Sequence, residues 1–93
     1  MRLSKFEVDT IKQSVYALDP KAKVYLFGSR VDDKKRGGDI DLLILSEKIR
    51  PIDKIKLKAS IFKKLEEQKI DIIISKDTKR PFIRYALDQG VLL

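Results

Sequence analysis

The stretch KVYLFGSRVDDKKRGGDIDLLIL, residues 23–45, contains the clearest signals of secondary structure in the chain. Both of its ends, Lys23–Phe27 and residues 39–45, are rich in branched and aromatic apolar residues, which is typical of β-strands. Gly28 and Ser29 end the first strand, because glycine and serine favour turns. The polar segment 30–38 predicts a loop or a short helix. The stretch therefore predicts two strands joined by way of a glycine turn.

Helices are predicted on either side of this pair of strands. Ser4 and Glu7 form an S-x-x-E capping box, which predicts a helix over residues 5–18 that ends before Pro20. Pro51 predicts the start of a second helix. Two neighbouring apolar stripes lie on that helix: the first consists of Ile52, Ile55, Ala59 and Phe62, and the second of Leu57, Ile61 and Leu65.

A third strand and a last helix complete the predicted order. Residues 70–75, IDIIIS, predict the strand, and Pro81 opens a helix that runs to residue 89, with Gly90 placed to cap it. The order is α-β-(α)-β-α-β-α. It predicts an α/β (α+β) fold in which helices pack on a small mixed sheet of about three strands. We expect residues 1–93 to form one domain.

Composition narrows the chemistry that this chain can perform. It contains no Cys and no His, so thiolate and imidazole catalysis are excluded, and carboxylates, hydroxyls and cationic groups are left. Carboxylate oxygens suit hard cations such as magnesium. The formal net charge of +7 favours anionic partners. No signal peptide or membrane span is recognisable, which predicts a soluble cytoplasmic protein.

Asp39 and Asp41 are the strongest candidates for metal ligands. They are two residues apart on a predicted strand, so both side chains point to one face, with Cα atoms about 6.6 Å apart. The apolar run that follows, residues 42–45, makes the strand look buried, where two like charges are costly without a cation. Asp71 interrupts the third strand and completes a triad if the two strands are neighbours; alternatively, it is a solvent-facing residue at a sheet edge.

Taken together, LFGSR, the spacer 30–38 and DIDLLI resemble the signature of the DNA polymerase beta superfamily of nucleotidyltransferases. The chain is most similar to its smallest members, the minimal nucleotidyltransferases. The resemblance implies that Gly28 and Ser29 bind phosphate, that Asp39 and Asp41 bind metal, and that Asp71 is a third metal ligand or the base. It also places Arg30 where many small members have a basic residue, which predicts a phosphate contact; an exposed, solvated Arg30 is the alternative.

The resemblance further implies a cofactor and a partner. One or two magnesium ions and ATP as the donor are expected, with AMP moved onto an acceptor hydroxyl. Minimal members typically accompany a small helical HEPN-type toxin, which they neutralise as antitoxins by modifying a toxin tyrosine, by forming a complex, or both. Either a toxin complex or a homo-oligomer is compatible with the sequence.

Two other functions compete with catalysis. The chain can be an antitoxin that acts by binding alone, although a pure binder needs no cluster of carboxylates. Nucleic-acid binding fits the positive charge and the basic run at residues 34–36, but no RNA- or DNA-binding motif is present, and the aromatic residues are mostly interpreted as core.

Overall fold

The computed structural model describes residues 1–34, 38–65 and 69–93. These ranges contain three α-helices and four β-strands in the order α1 (Lys5–Leu18), β1 (Lys23–Phe27), β2 (Ile40–Leu45), α2 (Lys54–Lys64), β3 (Ile70–Ser75), α3 (Pro81–Gln89) and β4 (Val91–Leu92). Short 3-10 helices occupy Gly28–Val31 and Pro51–Asp53. The predicted α+β class is therefore confirmed. Basic residues Lys35 and Arg36 of the run at 34–36 lie outside the described residues.

The sheet has the strand order β3-β2-β1-β4. Strand β1 is antiparallel to both β2 and β4, whereas β2 and β3 are parallel, so the sheet is mixed as predicted. The prediction of about three strands missed β4, which contains only Val91 and Leu92. Two residues are too short to show a strand period in sequence, and they are held in place by pairing with β1.

Gly90 ends α3 as predicted, with its amide donating to the Leu87 carbonyl over 3.2 Å. Its backbone is extended, with φ −84°, and is not in the left-handed conformation common for glycine at helix ends. A Cβ atom at this position would lie 2.7 Å from the Ala86 carbonyl oxygen and 3.2 Å from that of Leu26. Gly90 is thus needed for the close approach of the chain as it turns from α3 into β4.

Helices cover both faces of β2, which explains its continuous apolar run. Ile40, Leu42 and Ile44 belong to a core that also contains buried residues of α1 and α2. Leu43 points the other way and packs with Ile83 and Ala86 of α3. A strand buried on both sides loses the alternation of apolar and polar residues. The same alternation puts Asp41 on the α3 face of the sheet.

Helix α2 buries only one of its two apolar stripes. Leu57, Ile61 and Leu65 are buried, but Ile52 and Ile55 are 71% and 78% exposed. Phe62 is 42% exposed, so the first stripe faces outward. Both stripes have helical spacing, so the sequence alone does not decide which one meets α1 and β3. The structure also starts α2 at Lys54, after the 3-10 turn that Pro51 opens.

The interpretation of the aromatic residues as mostly core is wrong for four of them. Phe6, Phe62, Phe82 and Tyr85 are 65%, 42%, 51% and 61% exposed, respectively. Their helical positions suggested burial, but each side chain keeps a large part of its surface exposed to solvent. In the described part of the chain, no helix is both long and apolar enough to span a membrane.

Candidate active site

The strand register brings Asp41 and Asp71 side by side. In the parallel pair β2–β3, Asp41 is the direct partner of Asp71, and on its other side Asp41 pairs with Phe27 at the end of β1. Asp39 precedes β2, which begins at Ile40 and not at Asp39 as predicted. The hydrogen bonding between β2 and the β3 segment begins at the Ile40 amide, which donates to the Lys69 carbonyl over 3.0 Å. All three aspartates therefore lie at one end of the sheet.

The pKa of Asp41 reflects its burial and the charges of the other two carboxylates. Burial raises the pKa of Asp41 above its usual 3.8, and the negative charges of Asp71 and Asp39 raise it further, while Lys69 acts in the opposite direction. Mutual repulsion of this kind is relieved by a cation placed among the carboxylates. Oxygen donors from carboxylates are also the ligands that magnesium prefers. The residues thus fit a divalent ion in both charge and chemistry.

Two lysines neutralise part of this charge. Lys69 Nζ lies 3.5 Å from Asp39 Oδ2, and Lys58 Nζ of α2 lies 3.9 Å from Asp71 Oδ1. These pairs draw two of the three carboxylates toward lysines. Within residues 1–34, 38–65 and 69–93, no three acidic, His or Cys side chains are grouped closely enough to hold an ion. Metal binding by Asp39, Asp41 and Asp71 together stays a prediction.

Gly28 shapes the site by its close approach to Asp41. Its φ of +77° belongs to the left-handed region that favours glycine. A Cβ atom on Gly28 would lie 2.3 Å from Asp41 Oδ2, so any other residue would push the carboxylate aside. The glycine turn and the aspartate strand are therefore one unit. The turn itself is the first part of a four-residue 3-10 helix, Gly28–Val31.

Arg2 and Arg30 hold the turn in shape from the side. Arg2 donates to the backbone carbonyls of Ser29 (3.0 Å) and Asp32 (2.9 Å). Arg30 donates to the carbonyls of Gly38 (3.1 Å) and Arg2 (3.0 Å). This role of Arg2 was not predicted, because its contacts join residues 27 and 30 positions apart in the chain. The phosphate contacts of Ser29 and Arg30 stay predictions.

A cleft of about 410 Å³ lies between this turn and α3. The turn residues Gly28 and Ser29 line one side, and Tyr85 and Gln89 line the other. A larger groove of about 850 Å³ lies at the opposite end of the sheet, beside Lys23 and Lys76. Size alone would favour the larger groove, but it is remote from the carboxylates. We therefore place the candidate active site at the glycine turn.

Comparison with known proteins identifies the family. The sequence model of the family described as "Polymerase beta, Nucleotidyltransferase" matches residues 9–93. This match covers most of the chain, including the glycine turn and all three aspartates. The chain belongs to this family of nucleotidyltransferases, which generally use a nucleoside triphosphate and a divalent metal. A search of curated proteins finds no match to the chain.

Proposed function

We propose that this domain transfers AMP from ATP to a tyrosine hydroxyl of a small helical partner of the HEPN toxin type, and so acts as a cytoplasmic antitoxin. The observation that carries nucleotidyl transfer is the contact between the glycine turn and the aspartate cluster, in which Gly28 lies directly against Asp41. Phosphoryl transfer depends chiefly on positioning and charge neutralisation. A turn that fixes a carboxylate beside a phosphate-binding backbone meets both needs.

The roles of the residues follow from their places in the site. Asp39 and Asp41 would hold one or two magnesium ions, which neutralise the triphosphate and the leaving pyrophosphate. The Ser29 hydroxyl and the backbone of the turn bind phosphate oxygens. The acceptor oxygen forms a bond to the α-phosphorus, and the bond to pyrophosphate breaks. Asp71 takes the acceptor proton or completes the metal ligands; it is half-exposed and can be reached by a macromolecular acceptor.

A protein acceptor is supported by the outer face of α2. We define the α2 surface as the exposed apolar residues Ile55 and Phe62 of α2 together with Ile52 of the 3-10 turn that precedes it. Adjacent exposed apolar side chains of this kind often mark protein–protein contacts. Because Lys58 of the same helix reaches Asp71, a partner bound near this helix would be close to the carboxylates.

The α2 surface also favours the second candidate, an antitoxin that neutralises its partner by binding alone. In that case the aspartates are dispensable for neutralisation and the α2 surface is not. The two candidates make opposite statements about Asp41→Asn, which abolishes neutralisation only if transfer is required, whereas both expect Ile55→Ser to weaken the partner complex. The first variant removes transfer and the second removes binding.

The test is to incubate the protein with magnesium, ATP labelled on the α-phosphate, and the product of the neighbouring gene. We expect label on a tyrosine of that product. The label should be lost with Asp41→Asn and kept with Asp9→Asn, which changes an exposed aspartate on α1. Full labelling by Asp41→Asn would refute the assignment of the site. A stable complex without label, lost with Ile55→Ser, would select the binding antitoxin.

A further inference from the structure

Tyr85, which lines the cleft beside the glycine turn, belongs to an exposed pair of aromatic rings. Tyr85 is 61% and Phe82 51% exposed, and their ring centroids are 6.4 Å apart. Phe82 in turn meets Phe27 edge-on, with centroids 6.2 Å apart and an interplanar angle of 81°. This contact anchors the rings to the end of β1. Tyr85 is therefore a supported aromatic surface, not a side chain standing free in solvent.

The chemistry of the cleft suits a flat, neutral ring better than a polyphosphate. Among the described residues that line it, none is Lys or Arg, so the cleft offers no cation to offset phosphate charge. It offers the Tyr85 ring and, four residues later on the same side of α3, the Gln89 amide. An aromatic face and an amide are the groups that stack on a nucleobase and bind its polar edge.

The position of the cleft links it to the carboxylates. Gly28 and Ser29, the proposed phosphate-binding residues, both line one side of the cleft, and Gly28 also lies against Asp41. A nucleotide whose phosphates lie at the turn therefore has its remaining part within reach of the cleft. The volume, about 410 Å³, falls within the range of small-molecule sites.

We propose that the cleft between the Gly28–Val31 turn and α3 is the nucleobase subsite of the donor, with Tyr85 as its stacking surface and Gln89 at the polar edge of the base. This inference rests on the proposed function, because it concerns the same bound nucleotide. It assigns a role in donor recognition to α3, a helix that the signature motif does not include.

The experiment compares two ligands, ATP and inorganic tripolyphosphate, by calorimetric titration in the presence of magnesium. Tyr85→Ala should weaken ATP binding by about five- to hundredfold, the usual effect of removing a stacked ring. Tripolyphosphate has no base, so its affinity should not change. Tyr85→Phe keeps the ring and should bind ATP as the wild type does. Phe6→Ala removes a ring of similar exposure on α1, the helix across the sheet, and should change neither affinity.

Each other outcome is decisive. Unchanged ATP affinity in Tyr85→Ala would overturn the nucleobase subsite. The proposed function would still stand in that case if Asp41→Asn abolished ATP binding. Equal losses for ATP and tripolyphosphate would also overturn it, because the ring would then act on the turn. If Tyr85→Ala does not fold, Tyr85→Leu keeps apolar bulk without a flat ring and must show the selective loss. Failure of the wild type to bind ATP would overturn both proposals.

Discussion

Replacing Gly28 by alanine should disturb the position of Asp41 strongly and the stability of the fold only modestly. The new Cβ atom would lie 2.3 Å from Asp41 Oδ2, so the carboxylate must retreat by about 1 Å to reach the 3.4 Å of an ordinary contact. Mutating a residue that orients a metal ligand, as Gly28 would orient Asp41, typically costs about 10- to 100-fold in metal affinity. We expect Gly28→Ala to lose manganese affinity by that factor, with manganese standing in for magnesium.

The same change should reduce stability only modestly. Alanine at a φ of +77° costs about 1–2 kcal/mol. The Asp41 carboxylate is the end of a side chain that can rotate away, so the clash itself adds little. For a domain of this size the melting temperature should fall by about 4–8 °C per kcal/mol.

Electron paramagnetic resonance of free manganese and thermal unfolding, measured on the same samples, test the two parts. Gly90→Ala is the matched control, because its Cβ would meet the Ala86 carbonyl at 2.7 Å and destabilise the fold without touching Asp41. We expect this control to melt earlier than the wild type and to bind manganese normally. Gly28→Ala that binds manganese as tightly as the wild type would refute the claim that the turn positions Asp41.

Three further predictions follow from charged groups. Burial and the charges of Asp71 and Asp39 raise the pKa of Asp41, so ionising it destabilises the fold. The stability of the wild type relative to Asp41→Asn should fall as pH rises from 3.8 through the folded pKa of Asp41, and Asp41→Asn should be at least as stable as the wild type at pH 7 without divalent cations. Hydrogen bonds from the Ser46 hydroxyl and the Lys21 amide lower the pKa of Asp19 below 3.8. The contribution of ionised Asp19 to folding stability is therefore complete above pH 3.8 and is lost as pH falls through the pKa of Asp19 in the folded protein. Asp19→Asn should be less stable than the wild type at pH 7, and the difference should vanish in acid. Lys58→Gln and Lys69→Gln should each raise manganese affinity by up to about fivefold, because each exposed ion pair is worth at most about 1 kcal/mol.

These predictions have clear controls. Denaturant unfolding over a pH series measures the two aspartate effects, and Asp9→Asn, an exposed aspartate on α1, should follow the wild-type curve. A lower stability of Asp41→Asn at pH 7 would contradict the repulsion among the carboxylates. For the lysines, Lys23→Gln at the far end of β1 should leave manganese affinity unchanged. An equal gain in that variant would mean that net charge, not the ion pairs, controls metal binding.

Local signals explain why most elements could be predicted from sequence. The helix over Lys5–Leu18 was predicted correctly because Ser4 and Glu7 form the capping box, with bonds of 2.9 and 3.1 Å, at one end and Pro20 follows the other. The proline at residue 81 likewise fixed the start of α3. The spacing of the glycine turn and the aspartates predicted the superfamily, and the family match confirms it.

The features that sequence could not predict depend on contacts between distant residues. Strand β4 forms because it pairs with the otherwise unpaired edge of β1. Which apolar stripe of α2 is buried depends on its packing against α1 and β3. Arg2 supports the glycine turn by donating to the backbone carbonyls of residues 29 and 32, and no local sequence pattern predicts these hydrogen bonds. The ion pairs of Lys58 and Lys69 with the carboxylates are also contacts between separate segments.

The proposed site is tested most directly by a crystal structure of the protein with manganese and a non-hydrolysable ATP analogue, recorded at a wavelength where manganese scatters anomalously. We predict anomalous density bounded by carboxylate oxygens of Asp39, Asp41 and Asp71, with the triphosphate at Gly28 and Ser29. Anomalous density elsewhere, or a nucleotide bound away from this turn, would contradict it.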